Sequence, residues 1–153
     1  MLDGPLFICS HPYSLIDGIN RNAQDGGAAM ITGKIEVVHP SNVEWSETLI
    51  EHIGQPFYMK PLLDEPETGM GVVMLRYPAG FTNPHHTHPC GHGMYVLEGK
   101  LVTHRGEFGP GTFVWFPEGE TMQHGASPDQ DMVALFITNK PFGIEYMIEA
   151  AGK

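Results

Sequence analysis

Residues 80–99 read Gly80-Phe81-Thr82-Asn83-Pro84-His85-His86-Thr87-His88-Pro89-Cys90-Gly91-His92-Gly93-Met94-Tyr95-Val96-Leu97-Glu98-Gly99. Four of the chain's nine histidines (His85, His86, His88 and His92) fall within eight residues here, where the average density would place about half of one. Residues two apart on a strand share a face, so His86 and His88 project side by side. Adjacent neutral imidazoles are natural ligands for a divalent metal. His85 takes the opposite face and is expected in solvent. His92 shares the parity of His86, but the turn expected at Pro89-Cys90-Gly91 intervenes.

Outward from this stretch, the chain from Lys34 onward alternates short apolar segments with turn residues, the pattern of an all-β sandwich or barrel. The pattern predicts strands over residues 34–39, 57–60, 71–77, 94–98, 100–107, 112–116, 132–138 and 143–148. Turns are expected at Pro78-Ala79-Gly80, Glu98-Gly99, Gly109-Pro110-Gly111 and Pro117-Glu118-Gly119. Ser46–Ile53 reads as a helix of at most two turns. With 19 glycines and 13 prolines in 153 residues, ordinary helices have no room, which excludes a helical bundle. About eight strands with Gly/Pro corners fit a single-domain β-jelly roll over residues 34–153. Residues 1–33 read as an N-terminal arm, swapped between subunits or flexible.

Charge narrows the function. Eight basic against eighteen acidic residues leave a formal net charge of −10 with no basic cluster, so nucleic acid and anionic membrane surfaces are not expected partners. No apolar run reaches the length of a membrane span, and the N-terminus lacks a secretory leader's features, so a cytoplasmic location is expected. Cys9 and Cys90 make no disulfide framework.

The spacing Gly80, five residues, His86, one, His88, three, His92, six, Gly99 resembles the first metal motif of the cupin superfamily, with His92 where the family carries a carboxylate. Gly111, five residues, Pro117, one, Gly119 resembles the second motif. That motif then expects its histidine at position 122. The chain has Met122 there and a histidine two residues on, His124, a shift that keeps strand parity. The resemblance covers roughly residues 70–139 and implies the cupin double-stranded β-helix. It also implies one divalent metal at the barrel mouth, held by His86, His88, His92 and His124. Iron and zinc are favoured, with nickel and manganese as alternatives; imidazole alone does not choose among such metals.

All-histidine shells in this superfamily accompany dioxygenases that cleave diketone-like substrates. The resemblance thus implies a non-haem oxygenase acting on a small chelating, enolisable dicarbonyl. Two alternatives stay open: a metal-dependent isomerase or lyase on a sugar or carbonyl acid, and a non-catalytic cupin module binding metal or a small molecule. Candidates for a pocket acid, base or anion contact are Tyr95, Glu120 and Arg76, although Arg76 reads better as an outward residue at a strand end. Cys90, between two candidate ligands, reads as a nearby thiol and Cys9 as an apolar filler. Glu98 and His104 read as outward. His11, His39 and His52 show no partner pattern. Pocket walls are expected from Met74, Met94, Met122, Phe113, Trp115 and Phe136. By analogy with cupins of this size, a homodimer binding a small-molecule substrate is expected.

Overall fold

The computed structural model describes residues 7–9, 29–30, 33–50 and 53–147. Thirteen strands make up most of it: β1 (Phe7–Cys9), β2 (Ala29–Met30), β3 (Ser46–Ile50), β4 (Gln55–Glu65), β5 (Met70–Tyr77), β6 (Thr82–Thr87), β7 (His92–Glu98), β8 (Leu101–Thr103), β9 (Gly106–Phe108), β10 (Phe113–Phe116), β11 (Met122–Ala126), β12 (Met132–Thr138) and β13 (Glu145–Met147). Among the described residues the only helical element is one 3-10 turn, Pro40–Asn42. No helix there is long and apolar enough to cross a membrane.

The strands form two sheets. One has six strands in the order β1-β13-β6-β11-β8-β9; the other has seven, β10-β7-β12-β5-β4-β2 with β3 on β4. Pairings are antiparallel except for β2 on β4. This is the expected β-jelly roll. Its interior is set by period-two alternation: on β5, Val73, Leu75 and Tyr77 face the core, while Val72, Met74 and Arg76 take the other side. Phe81, Met94, Val96, Leu101, Met122, Met132 and Phe136 complete a core between the sheets. Truncating Phe81, 1% exposed, to Ala should cost about 3–5 kcal/mol. At the β7–β8 turn Gly99 has φ +68°, and a Cβ there would meet the Asp131 carbonyl oxygen at 2.1 Å, so glycine is required.

Four strand-level expectations are corrected. Of the helix expected over Ser46–Ile53, Ser46–Ile50 is instead strand β3, with an alternating burial pattern and every residue paired to β4. Residues 34–39 are not a strand; they precede the 3-10 turn and are mostly exposed. Residues 100–107 split into β8 and β9, a hairpin closed at Thr103↔Gly106. Thr82–Thr87 and Met122–Ala126 are strands absent from the sequence pattern, and they carry two of the predicted site histidines. Of the arm expected over residues 1–33, β1 pairs with β13 and β2 with β4; most of the remainder lies outside the described residues, as do His11 and His52.

Candidate metal centre

A register break on β6 shapes the site. Met122 of β11 pairs with His86 and His124 with Asn83, so two steps on β11 match three on β6. This β-bulge spans Pro84 and His85 and reverses the inward parity from Phe81 and Asn83 to His86 and His88. Pro84, with no N–H to offer the ladder, suits such a position. The bulge also directs the Pro84 carbonyl at His86 Nδ1, 2.6 Å away. His88, just past β6, has its Nδ1 on the Gly143 carbonyl. Both imidazoles therefore hold their proton on Nδ1 and leave Nε2 without a partner.

His124 comes from β11 and His92 opens β7 in the opposite sheet, so both sheets contribute. His86, His88 and His124 each offer a ring nitrogen, and these nitrogens all lie within 4.8 Å of one another. Two nitrogens on one ion, each at roughly 2.1 Å, stand at most about 4.2 Å apart, so small side-chain adjustments complete such a shell. His92 stands outside that group yet beside it, its ring centroid 4.6 Å from His88 and 6.3 Å from His124. Its ring is packed by Phe116 at 4.8 Å and Phe136 at 4.8 Å. Neither of its nitrogens has a hydrogen bond of normal geometry among the described residues. All four histidines are at most 3% exposed.

Burial is the main force on their ionisation. It pushes His86, His88 and His92 down to about 3, and each is lowered further by a neighbouring imidazole: His88 acts on His86, His92 on His88, and His86 on His92. His124 is lowered well below the usual range by burial and then by His86, His92 and His88. The rings are thus neutral, the state a metal ligand needs. Besides these four, the described residues bury Asn83, Ser127 and Thr138 and the tyrosines Tyr77 and Tyr146, and no carboxylate. Unpartnered neutral nitrogens facing one another, without an acid among them, fit a divalent cation that accepts imidazole.

The other sequence candidates lie elsewhere. Tyr95 is 40% exposed on the outer face of β7, and Glu120 is exposed beyond β10. Arg76 faces outward too, its guanidinium 4.4 Å from the Tyr58 ring and 5.2 Å from Trp45. His39, His85, Glu98 and His104 are exposed. Cys90 is fully buried but outside the histidine group, and burial raises its thiol to about 11. Met94, Met122 and Phe136 line the interior as expected, whereas Phe113 and Trp115 are about half exposed and Met74 takes the outer side of β5. Phe142 packs on His88 at 4.9 Å instead.

Sequence reasoning missed three polar residues at the cluster. Tyr77 Oη lies 3.2 Å from His124 Nδ1, Tyr146 packs on His86 at 5.7 Å, and Asn83, buried, pairs with His124 across the bulge. The inward face of Tyr77 was readable from Val73 and Leu75. Asn83 was not, because counting back from His86 in twos puts Asn83 outside, and only the bulge restores it.

A family model described as the ChrR cupin-like domain matches residues 34–143. Solved structures show the same fold. The polyketide cyclase RemF from Streptomyces resistomycificus is 21% identical, over 77% of this chain and 88% of that one, with a TM-score of 0.61. A putative acetylacetone dioxygenase from Methylibium petroleiphilum PM1 is 16% identical over 77% and 87%, with a TM-score of 0.63. The complex of Rhodobacter sphaeroides SigE with the anti-sigma ChrR matches at 22% identity and a TM-score of 0.51, over 65% of this chain and only 51% of that one. No curated protein matches the chain. With the model spanning well over half the sequence, the chain belongs to the ChrR cupin-like domain family of cupins.

Proposed function

We propose that the protein is a metal-dependent cupin oxygenase. It holds one divalent ion, iron or zinc ahead of nickel or manganese, through His86, His88, His124 and, from the opposite sheet, His92. The supporting observation is that His86, His88 and His124, buried, bring ring nitrogens within 4.8 Å of one another, with the unpartnered His92 ring beside them and no buried carboxylate among the described residues. When bound, such an ion supplies Lewis acidity and open positions for a chelating substrate and O₂. The chain's own residues make the site dry and selective. Phe116, Phe136 and Phe142 pack around His92 and His88. Four neutral imidazoles leave the ion's full +2 charge uncompensated, where one carboxylate would leave +1. In a poorly solvated barrel this favours substrates entering as enolates or other oxyanions.

The family match and the likeness to the SigE–ChrR complex favour a second reading, a cupin module that binds zinc or a small ligand without turnover. Elemental analysis of protein expressed without added metal, followed by oxygen-uptake assays on enolisable dicarbonyls, separates the two. Stoichiometric iron with oxygen uptake is the expected result. Stoichiometric zinc, with no uptake after iron reconstitution, would overturn the oxygenase reading in favour of the binding module. Replacing His92 with Glu should retain metal but weaken anionic chelators by something on the order of 1–3 kcal/mol.

We also propose that two copies pair through the outer face of the larger sheet. Phe113, Trp115, Tyr95 and Leu97 are 54%, 49%, 40% and 37% exposed there. Phe113 and Trp115 pack against Gly93 and Gly91, where an added Cβ would come within 2.4 and 2.6 Å of their rings. Across the strands the row runs Phe113, Tyr95, Leu135 and Met74 before it reaches Lys60 on β4, an apolar stretch able to meet its own copy. Light scattering after size exclusion should report a dimer, and Trp115→Glu a monomer.

A further inference from the structure

The three clustered imidazoles differ on the side turned away from the site. His86 and His88 direct Nδ1 at the carbonyls of Pro84 and Gly143. A carbonyl only accepts, so the proton is fixed on Nδ1 and the Nε2 lone pair faces the site. His124 Nδ1 meets a hydroxyl instead, Tyr77 Oη at 3.2 Å. A hydroxyl can donate or accept. Were Tyr77 to donate, His124 would carry its proton on Nε2 and could not ligate there. The surroundings bear on this choice. The Tyr77 ring is held between Phe81, stacked at 4.5 Å, and Phe57, edge-on at 5.9 Å, and it stacks on His124 at 5.7 Å with 15° between planes. Its hydroxyl therefore has a fixed place. Asn83 pairs with His124 across the bulge and is buried, with its Oδ1 lacking a hydrogen-bond partner.

We propose that Tyr77 is the positioning residue for His124: its oxygen accepts the His124 Nδ1 proton and so presents Nε2 to the site. The proposal rests on His124 being a metal ligand. It accounts for how a histidine displaced two residues from the family's usual position is aimed, by a side chain from the facing sheet and not by a backbone carbonyl. Partners of this kind commonly change metal affinity by roughly 10–100-fold.

The test begins with the unaltered protein. Long-range ¹H–¹⁵N spectra of the metal-free, ¹⁵N-histidine-labelled chain should show His124 as the Nδ1–H tautomer; an Nε2–H tautomer would overturn the proposal. Competition titrations with Zn²⁺ then compare Tyr77→Phe, which keeps the stacked ring, with Tyr146→Phe, which removes the other hydroxyl near Asn83 without touching His124. Tyr77→Phe should bind roughly 10–100-fold more weakly and alter the Co²⁺ visible spectrum, while Tyr146→Phe stays within about threefold of wild type. In a His124→Ala background, Tyr77→Phe should add no further loss. Equal effects of the two tyrosine substitutions, or undiminished affinity in Tyr77→Phe, would overturn the positioning role. Failure of the wild type to bind Zn²⁺ or Co²⁺ at all would instead overturn the metal-centre reading beneath it.

Discussion

An imidazole nitrogen shut away from water without a hydrogen bond costs about 1–3 kcal/mol. Residues that carry that cost in isolation are uncommon, and here His86, His88, His92 and His124 carry it together. A shared ligand is the economical explanation, because one ion satisfies several lone pairs at once. His86→Ala or His88→Ala should therefore remove most bound metal, read by elemental analysis. The barrel should stay folded, since a core drawn from both sheets has no need of metal to form. Loss of a cooperative unfolding transition in metal-free protein would contradict this. His124 and Met122 both face inward from β11, so parity does not choose between them. Their chemistry does: His124→Ala should cost far more metal affinity than Met122→Ala, and equally small losses would remove β11 from the shell. His92, wedged between Phe116 and Phe136, separates on occupancy. A ligand's loss in His92→Ala should loosen the metal measurably, whereas unchanged occupancy would place the ring outside the shell.

At the scale of elements, the β6 bulge is the device that makes the cluster. It turns the Pro84 carbonyl toward His86 while keeping Asn83 opposite His124. Deleting His85, an exposed residue, should regularise the ladder and keep the fold but take the acceptor from His86 Nδ1. Zinc affinity should then fall by about tenfold or more; a titration showing wild-type affinity would refute the role given to the bulge. The same feature marks where the sequence stops being legible. The jelly roll could be read from turn residues and from strands such as Met70–Tyr77 and Met132–Thr138, whose apolar runs are long. Thr82–Thr87 and Met122–Ala126 could not, because Asn-Pro-His-His and Gln-His-Gly lack the β-branched and aromatic residues that signal a strand. Their extended form comes from pairing with neighbours. Ser46–Ile50 misleads the other way: Ser-Glu-Thr-Leu suits a helix start, yet pairing along β4 outweighs that local preference. The grouping of His86 and His88 was visible in their spacing. The approach of Tyr77 and Asn83 to His124 was not, since it depends on a register between strands far apart in sequence.

For the molecule as a whole, the buried histidines couple stability to pH. An unfolded histidine titrates near 6.5, whereas in the folded chain burial first, and neighbouring rings second, hold His86, His88 and His92 near 3 and His124 well below its usual range. Above about pH 6.5 the rings are neutral in both states, and stability is at its full value. As pH falls from there toward 3, the unfolded chain binds protons that the folded chain refuses. Each ring then removes roughly 1.4 kcal/mol per pH unit, and the loss ends only once the folded rings protonate too. Four such rings together would remove about 5.6 kcal/mol per unit, against a total stability of roughly 5–15 kcal/mol for a domain. Metal-free protein should therefore melt at a constant temperature from pH 8 to about 6.5, and fall steeply below that. It should unfold before the range near pH 4 where carboxylates protonate. Zinc-loaded protein should follow the same curve displaced to lower pH, because protons must first compete the metal from the ring nitrogens. Thermal melts of both forms across this range make the comparison. A metal-free melting temperature that stays flat down to pH 4.5 would mean that the four rings are not held buried and neutral together, and the candidate centre would lose its physical basis.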